Sequence, residues 1–318
     1  MNFTGRLSII CARTFVGSEK ERQEDAILKA CTGLEGGIVA AGSTCGVVSA
    51  GVLGLACDAA PDLLQGDTAA EKAVMERAAR YVRWFEDTYG SSFCRARTGV
   101  NFYSKAGQLR YLVPGDKVIP CLLHIRGAMR YLFSNRLPEG GQDENRPSSP
   151  PPGTGTTPVH CASAVLEGIR RQTGIGNPRL ERMAFVLDGG AALSGGGCGA
   201  LVGAVMAVNL VLGLPVRQLS YGAIIGAFAR GHANLLRKKN RISPEPFAVG
   251  RKVVSDFQEM AGGIECRYIT GRSFSDWDAF QAYMAETPSC AGLIRDVTAQ
   301  TSETLRSFGD LNRFNAVC

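Results

Sequence analysis

The 318-residue chain has only three histidines and two tryptophans, and it lacks the signatures of the common catalytic sites. No histidine lies in a recognisable constellation with Ser or Asp, so nothing in the sequence indicates a hydrolase. The GxGxxG and GxxxxGK[ST] patterns of dinucleotide and P-loop sites are both missing. No two cysteines have CxxC spacing, which excludes the standard zinc-finger, iron–sulfur and haem-attachment motifs.

Long apolar runs are also missing. Segments 46–56 and 199–214 are apolar but shorter than the roughly 20 residues that span a bilayer, so we expect buried helices there. Residues 7–11 are too short, and too weakly basic in front, for a signal peptide. The net charge of +6 is spread along the chain and does not indicate nucleic acid. We expect a cytoplasmic protein, with membrane association kept as an alternative.

Cysteine, in contrast, is abundant. The chain has eleven, an odd number that would leave at least one thiol unpaired if the others formed disulfides. This number is below the density of a small disulfide scaffold. The set therefore fits a reducing compartment better than secretion.

The sequence around Cys198 occurs twice. Residues 187–191 (LDGGA) precede Cys198-Gly199 by six residues, and residues 34–38 (LEGGI) precede Cys45-Gly46 by six. Two further echoes pair segment 85–102 with 257–274 and segment 121–126 with 290–295. A repeat unit of about half the chain indicates a tandem duplication and not a solenoid. Segment 137–158, rich in Pro, Gly, Ser and Thr, is predicted to link domains 1–136 and 159–318.

Both halves have mainly helical patterns. Asp67 or Thr68 can cap a helix with apolar residues at helical spacing, and Gly90 can end it. Further helices are predicted at 121–133, 161–171, 221–238 and 290–305. The predicted fold is all-α, with two tandem helical repeats that contain Gly-rich turns and are related by a pseudo-twofold axis.

The repeats divide the cysteines into two groups. Eight recur in the same order and are candidates for chemistry, although the match at Cys11 is the weakest: Cys161, Cys198, Cys266 and Cys290 in the second half, and Cys11, Cys45, Cys94 and Cys121 in the first. The other three, which have no counterparts, are expected to be core or surface thiols: Cys31, Cys57 and Cys318.

Cys198 has the best physical case for reactivity. Glycines precede it and an apolar helix is predicted to begin at Gly199, so the thiol would face the helix N-terminus, which favours the thiolate. Gly199 and Gly203 would let the backbone approach a partner closely. Arg267, and Arg95 in the first half, could stabilise a thiolate or bind a backbone carbonyl, with surface salt bridging as an equal alternative.

The second half resembles the family named for its C_GCAxxG_C_C cysteine pattern. The matching residues are 161–166 (CASAVL), Gly189-Gly190, 198–203 (CGALVG), 262–271 (GGIECRYITG) and Cys290. The first half is similar but degenerate, because Val47 and Ala50 depart from the pattern. The resemblance implies a mainly helical domain and a redox role.

Three interpretations stay open. In the first, Cys161, Cys198, Cys266 and Cys290 transfer electrons to or from an unidentified partner, either by thiol–disulfide exchange or by holding zinc or an iron–sulfur cluster. In the second, the cysteines only pack a structural or membrane-associated protein. In the third, segment 183–190 forms a strand and Gly-rich loop that binds a nucleotide or anion. His124 and His160 are expected to lie near cysteines incidentally.

Overall fold

The computed structural model describes residues 21–113, 117–135, 159–236 and 245–314. Over these ranges the chain forms fifteen α-helices and no β-strand, which confirms the all-α prediction. The predicted linker 137–158, Cys11 and Cys318 lie outside the described residues.

The helices of the first half are α1 (Glu21–Cys31), α2 (Gly46–Asp58), α3 (Ala60–Leu64), α4 (Thr68–Tyr89), α5 (Cys94–Thr98), α6 (Lys105–Leu112) and α7 (Val118–Ser134). Those of the second half are α8 (Cys161–Thr173), α9 (Pro178–Met183), α10 (Gly199–Leu212), α11 (Tyr221–Leu236), α12 (Pro246–Ala261), α13 (Cys266–Thr270), α14 (Trp277–Glu286) and α15 (Pro288–Phe314). Short 3-10 helices at Thr32–Leu34 and Ala184–Leu187 precede the Gly-Gly turns.

The predicted boundaries of α4 are confirmed by its caps. The Asp67 carboxylate accepts the backbone N–H groups of Ala69 and Ala70, which satisfies two donors that the helix itself leaves unpaired. At the other end Gly90 adopts a left-handed conformation with φ of 85°, which glycine takes without steric cost. Between these caps, one apolar face packs against α2.

Helices α2 and α10 form the centre of the molecule. All residues from Gly46 to Cys57 and from Gly199 to Asn209 are buried, so the expectation of two buried apolar helices is confirmed. Helix α10 packs against α8, α12 and α15 of its own half and also against α1 of the first half. A single continuous core therefore joins the two repeats. None of the described helices is both long and apolar enough to cross a membrane.

Contacts between the halves are reciprocal. Helix α10 packs on the 3-10 helix Thr32–Leu34, and α2 packs on the equivalent 3-10 helix Ala184–Leu187. The two Gly-rich turns also meet, because the Gly197 N–H donates to the Thr44 hydroxyl at 2.7 Å. Such reciprocity is what a pseudo-twofold relation between the repeats requires.

Each Gly-Gly turn is a left-handed coil that the sequence patterns did not predict. Five consecutive residues, 189–193 and equally 36–40, have positive φ, and three of the five in each half are not glycine. Left-handed backbone costs about 1–2 kcal/mol for each non-glycine residue. Hydrogen bonds from Gly195 N–H to Gly189 O (2.8 Å) and from Gly196 N–H to Gly190 O (3.1 Å) hold the coil.

The strand expected under the nucleotide-binding interpretation is wrong. Segment 184–187 is a 3-10 helix, and the chain then enters the left-handed coil instead of a phosphate-binding loop. The apolar run that suggested a strand is buried in the shared core. A short apolar run of this kind fits a buried helical segment as well as a buried strand.

Candidate functional site

Backbone hydrogen bonds hold the second and third cysteines of the second half together. The Cys198 N–H donates to Ile264 O at 2.8 Å, and the Cys266 N–H donates to Gly196 O at 2.6 Å. These bonds form a short antiparallel bridge between the Gly-rich turn and the segment that begins α13. The coil in front of Cys198 therefore sets where Cys198 and Cys266 lie relative to each other.

Four cysteines from four helices meet at one cavity. Cys161 begins α8, Cys198 caps α10, Cys266 begins α13 and Cys290 lies in the first turn of α15. All four line a cavity of about 20 Å³, which has room for about one water molecule. We call these four residues the second-half cluster. The cavity wall is completed mainly by apolar side chains: Ala200, Ile269, Phe280, Met284, Leu293 and Ile294, with Gly199, Thr270 and Tyr283.

The four thiols differ in exposure. Cys161, Cys198 and Cys266 are buried, whereas Cys290 is half-buried. Cys290 also shares a hydrogen bond with the hydroxyl group of Tyr283, which opposes the rise in the Cys290 pKa that burial causes. Cys290 is thus the outermost thiol of the second-half cluster.

Burial raises the pKa of every thiol in this cluster. The backbone N–H groups of Ala200 and Leu201 donate to the Cys198 sulfur, as its position at a helix N-terminus predicts, and they lower the Cys198 pKa. Burial outweighs them and raises that pKa to about 11. The apolar surroundings therefore oppose the thiolate that the helix N-terminus favours, and the assignment of Cys198 as the reactive thiol stays a prediction.

A buried charged network adjoins the first cysteine of this cluster. The Asp188 carboxylate accepts the Cys161 N–H at 2.8 Å and contacts His160 Nδ1 at 2.9 Å. His160 Nε2 lies 3.6 Å from a carboxylate oxygen of Glu71, which belongs to the first half. Two carboxylates therefore fix the position of His160. This differs from the expectation that His160 lies near Cys161 only by chance.

Two sequence signals could have identified this network. Asp188 and Glu35 occupy equivalent positions before the two Gly-Gly turns, and an acidic residue repeated inside an apolar context is unusual. Both side chains are buried. The second signal is His160, a basic residue directly before the first repeated cysteine of the second half, Cys161.

The first half reproduces much of this arrangement. Its Cys45 N–H donates to Ser92 O and its Cys94 N–H donates to Ser43 O, both at 2.8 Å. Cys45, Cys94 and Cys121 are all buried. Their thiols are close enough for charge on one to affect the pKa of the next, since Cys45 and Cys121 both contribute to the raised pKa of Cys94. The fourth candidate, Cys11, lies outside the described residues.

The supporting residues have separate roles. Gly199 lines the cavity, whereas a Cβ atom on Gly203 would lie 2.7 Å from Ala162 O, so Gly203 allows α10 to pack closely on α8. Arg95 binds a backbone carbonyl, one of the roles expected for it, at 2.7 Å from Ala41 O. Arg267 instead lies 4.3 Å from the ring centre of Phe93 in the other half, which helps to join the repeats.

A metal centre gains no support from the side-chain arrangement. Among the described residues, which include the whole second-half cluster, no group of three or more His, Cys, Asp or Glu side chains is placed to hold a metal ion. The cavity is also small for an iron–sulfur cluster. Zinc or cluster ligation by Cys161, Cys198, Cys266 and Cys290 stays a prediction.

A family model described as "Putative redox-active protein (C_GCAxxG_C_C)" matches the chain twice, over residues 9–126 and 159–304. Comparisons with curated proteins and with solved structures gave no match. The two family matches coincide with the two repeats seen in the sequence and in the helical packing. The chain therefore belongs to the C_GCAxxG_C_C family, as a tandem duplication of its domain.

Proposed function

We propose that the second-half cluster transfers electrons by thiol–disulfide exchange with a disulfide of a partner molecule. One observation carries this proposal: four thiols that are far apart in sequence line a single cavity. Packing alone would not require cysteine at all four positions, since a small apolar residue fills such a site equally well. The electron donor or acceptor is unidentified.

Cys290 is the thiol that meets the partner, because it is the outermost of the four. Its sulfur attacks one sulfur of the partner disulfide, which forms a mixed disulfide and releases the other partner sulfur as a thiolate. The proton of the Cys290 thiol goes to that thiolate. The Tyr283 hydroxyl stabilises negative charge on the Cys290 sulfur as the proton leaves.

An inner thiol then completes the exchange. Cys266 attacks the Cys290 sulfur, so a Cys266–Cys290 disulfide forms and the second partner thiol departs with the Cys266 proton. Two electrons and two protons pass from the protein to the partner, and the reverse sequence reduces the protein. Cys266 fits this step because Cys290 and Cys198 are both among the neighbouring thiols that affect its pKa.

The raised thiol pKa values make the resting cluster slow to react. A protonated thiol is a poor nucleophile, so exchange depends on the small fraction that is ionised near neutral pH. Asp188 adds to this effect at Cys161, where burial and then the nearby carboxylate raise the pKa well above its usual value. We therefore assign Cys161 a positioning role rather than attack on the partner.

The experiment is a redox titration of the full-length protein in dithiothreitol buffers of graded potential, with free thiols counted by alkylation and mass spectrometry. We expect one disulfide to form at a defined potential, and we expect Cys266→Ala to lose this transition. Cys57→Ala is the matched control, because Cys57 is an equally buried cysteine outside the repeated set. Thiols that stay reduced throughout, and react only after unfolding, would establish packing as their role.

Elemental analysis for iron and zinc on protein purified without oxygen tests the metal alternative. We expect no stoichiometric metal. A near-stoichiometric metal content that disappears in Cys198→Ala but persists in Cys57→Ala would replace disulfide exchange by metal ligation at the same four cysteines.

A further inference from the structure

Two apolar residues that line the second-half cavity have polar counterparts in the first half. Ile269 is the third residue after Cys266, and Arg97 is the third residue after Cys94. Leu293 and His124 are likewise the third residues after Cys290 and Cys121. The first half therefore has an arginine and a histidine next to its cysteines where the second half has two apolar residues.

The two new side chains contact each other and a cysteine. Arg97 Nη1 donates to the Cys45 sulfur at 3.1 Å, and Arg97 Nη2 contacts His124 Nδ1. The guanidinium group also lies 4.9 Å from the ring centre of Phe85. We call Cys45, Cys94, Cys121, Arg97 and His124 the first-half cluster.

The charges in this cluster follow from its burial. Burial and the Arg97 charge lower the pKa of His124 to about 4, so His124 is neutral and its Nδ1 accepts a hydrogen bond from Arg97. Burial also opposes the charge on Arg97, but Cys45, Cys121 and Cys94 together raise its pKa, so the guanidinium group remains charged.

This positive charge has no carboxylate among its described contacts, which are the Cys45 sulfur, the His124 ring and the Phe85 ring. Its buried Nε atom has no hydrogen-bond partner among the residues that the structure describes. A partly buried guanidinium group is costly unless negative charge lies nearby. The Cys45 sulfur accepts a hydrogen bond from this guanidinium group and also lies at the N-terminus of α2, so both would stabilise negative charge that forms on the sulfur during a reaction.

We propose that the first-half cluster is a second and chemically distinct thiol site, in which Cys45 is the nucleophile and Arg97 binds small anionic disulfides. The duplication has thus produced two sites with different preferences, an apolar one in the second half and a cationic one in the first. In this proposal the replacement of Ile269 and Leu293 by Arg97 and His124 reflects this divergence and not the loss of the site.

The reaction balances within the cluster. The Cys45 sulfur attacks the disulfide, a mixed disulfide forms, and one substrate thiolate leaves beside Arg97. Cys94, the neighbour whose pKa is affected by Cys45, then attacks the Cys45 sulfur. A Cys45–Cys94 disulfide forms and the second substrate thiol departs with the Cys94 proton, so two electrons pass from the two cysteines to the substrate.

Two disulfides of similar size and different charge test this proposal on the full-length reduced protein. Dithiodiglycolic acid carries two carboxylates, whereas 2-hydroxyethyl disulfide is neutral. We expect peptide mapping to show that Cys45 reacts about tenfold faster with the anionic probe, because a charge-assisted contact to Arg97 favours it. Arg97→Ile, which restores the residue of the second half, is expected to abolish this preference, and Arg126→Gln, which removes an exposed charge from α7, is expected to keep it.

A second measurement keeps the test decisive if Arg97→Ile does not fold. Added salt is expected to slow the anionic probe at Cys45 in the wild-type protein and to leave the neutral probe unchanged. The background variant Cys290→Ala separates this site from the second-half exchange, and Cys45 is expected to react there at an unchanged rate. Equal rates for both probes at Cys45, or no reaction at Cys45 in that background, would overturn the proposal.

Discussion

His160 Nδ1 lies 2.9 Å from a carboxylate oxygen of Asp188, while its Nε2 lies 3.6 Å from Glu71 in the other repeat. Burial alone would lower the His160 pKa, but the hydrogen bonds and charges of these two carboxylates raise it to about 9. A buried imidazolium therefore joins the halves directly beside Cys161. Removal of Asp188 would leave the imidazolium with only the longer 3.6 Å contact to Glu71, and a weakly paired charge is costly in a buried site.

This pairing predicts that stability falls as the pH rises. The folded-state pKa of about 9 lies above the unfolded value of about 6.5, so the contribution is fully present below pH 6.5 and is lost as pH rises through 9. Its size is about 3 kcal/mol. Urea unfolding of the reduced protein between pH 6 and 7.5 follows the first part of this loss, because unfolded thiols, with a pKa of about 8.5, are still largely protonated in that range. We expect His160→Gln to be less stable at pH 6 and nearly independent of pH over this interval, and a wild-type slope in the variant would contradict the assignment.

Trp277 is expected to report the same protonation by fluorescence. Its ring stacks on His160 with centroids 5.5 Å apart and an angle of 25° between the planes. A protonated imidazole quenches indole emission because it accepts an electron from the excited ring, whereas the neutral form quenches weakly. In a Trp84→Phe background, which leaves Trp277 as the single tryptophan, emission should rise as the pH passes through about 9. No such rise is expected when His160→Gln is added.

The sequence predicted the helices well, because each depends on local patterns. Caps at Asp67 and Gly90, and the uninterrupted apolar runs of α2 and α10, are read from residues that lie close together. The glycines before Cys198 and the apolar run after it also predicted that a helix begins directly after this residue.

The sequence did not show what depends on tertiary packing. The pKa of Cys198 is set by burial among four helices, which outweighs the local effect of the helix end. His160 acquires its role from Glu71 across the junction between repeats, a contact that no spacing within one repeat could indicate. The left-handed coil was also missed, since Ala191, Ala192 and Leu193 rarely adopt positive φ and are held there by surrounding structure.

Gly190 tests whether this coil supports the second-half cluster. Its φ is 87°, and a Cβ atom there would lie 2.2 Å from Gly196 N, which is backbone and cannot move aside cheaply. We expect Gly190→Ala to lower the free energy of unfolding by more than about 3 kcal/mol, from left-handed strain and overpacking together. Gly262→Ala is the control for strain alone, because Gly262 has a φ of 72° and no atom near the added Cβ. Chemical unfolding measures the free energy of unfolding of both variants. Equal decreases would mean that the close approach at Gly190 does not contribute to the destabilisation.

The order in which thiols react with iodoacetamide tests the exposure difference within the second-half cluster. Cys290 is half-buried, whereas Cys161 and Cys266 are buried, so Cys290 should be alkylated at least about tenfold faster in the native reduced protein. Cys31, whose pKa is raised to about 12 by burial and by Cys57, serves as the internal reference and should react only on unfolding. Peptide mapping over a time course resolves the individual sites. If Cys161 or Cys266 reacted as fast as Cys290, the cluster would open readily, and Cys290 would lose its assignment as the thiol that meets the partner.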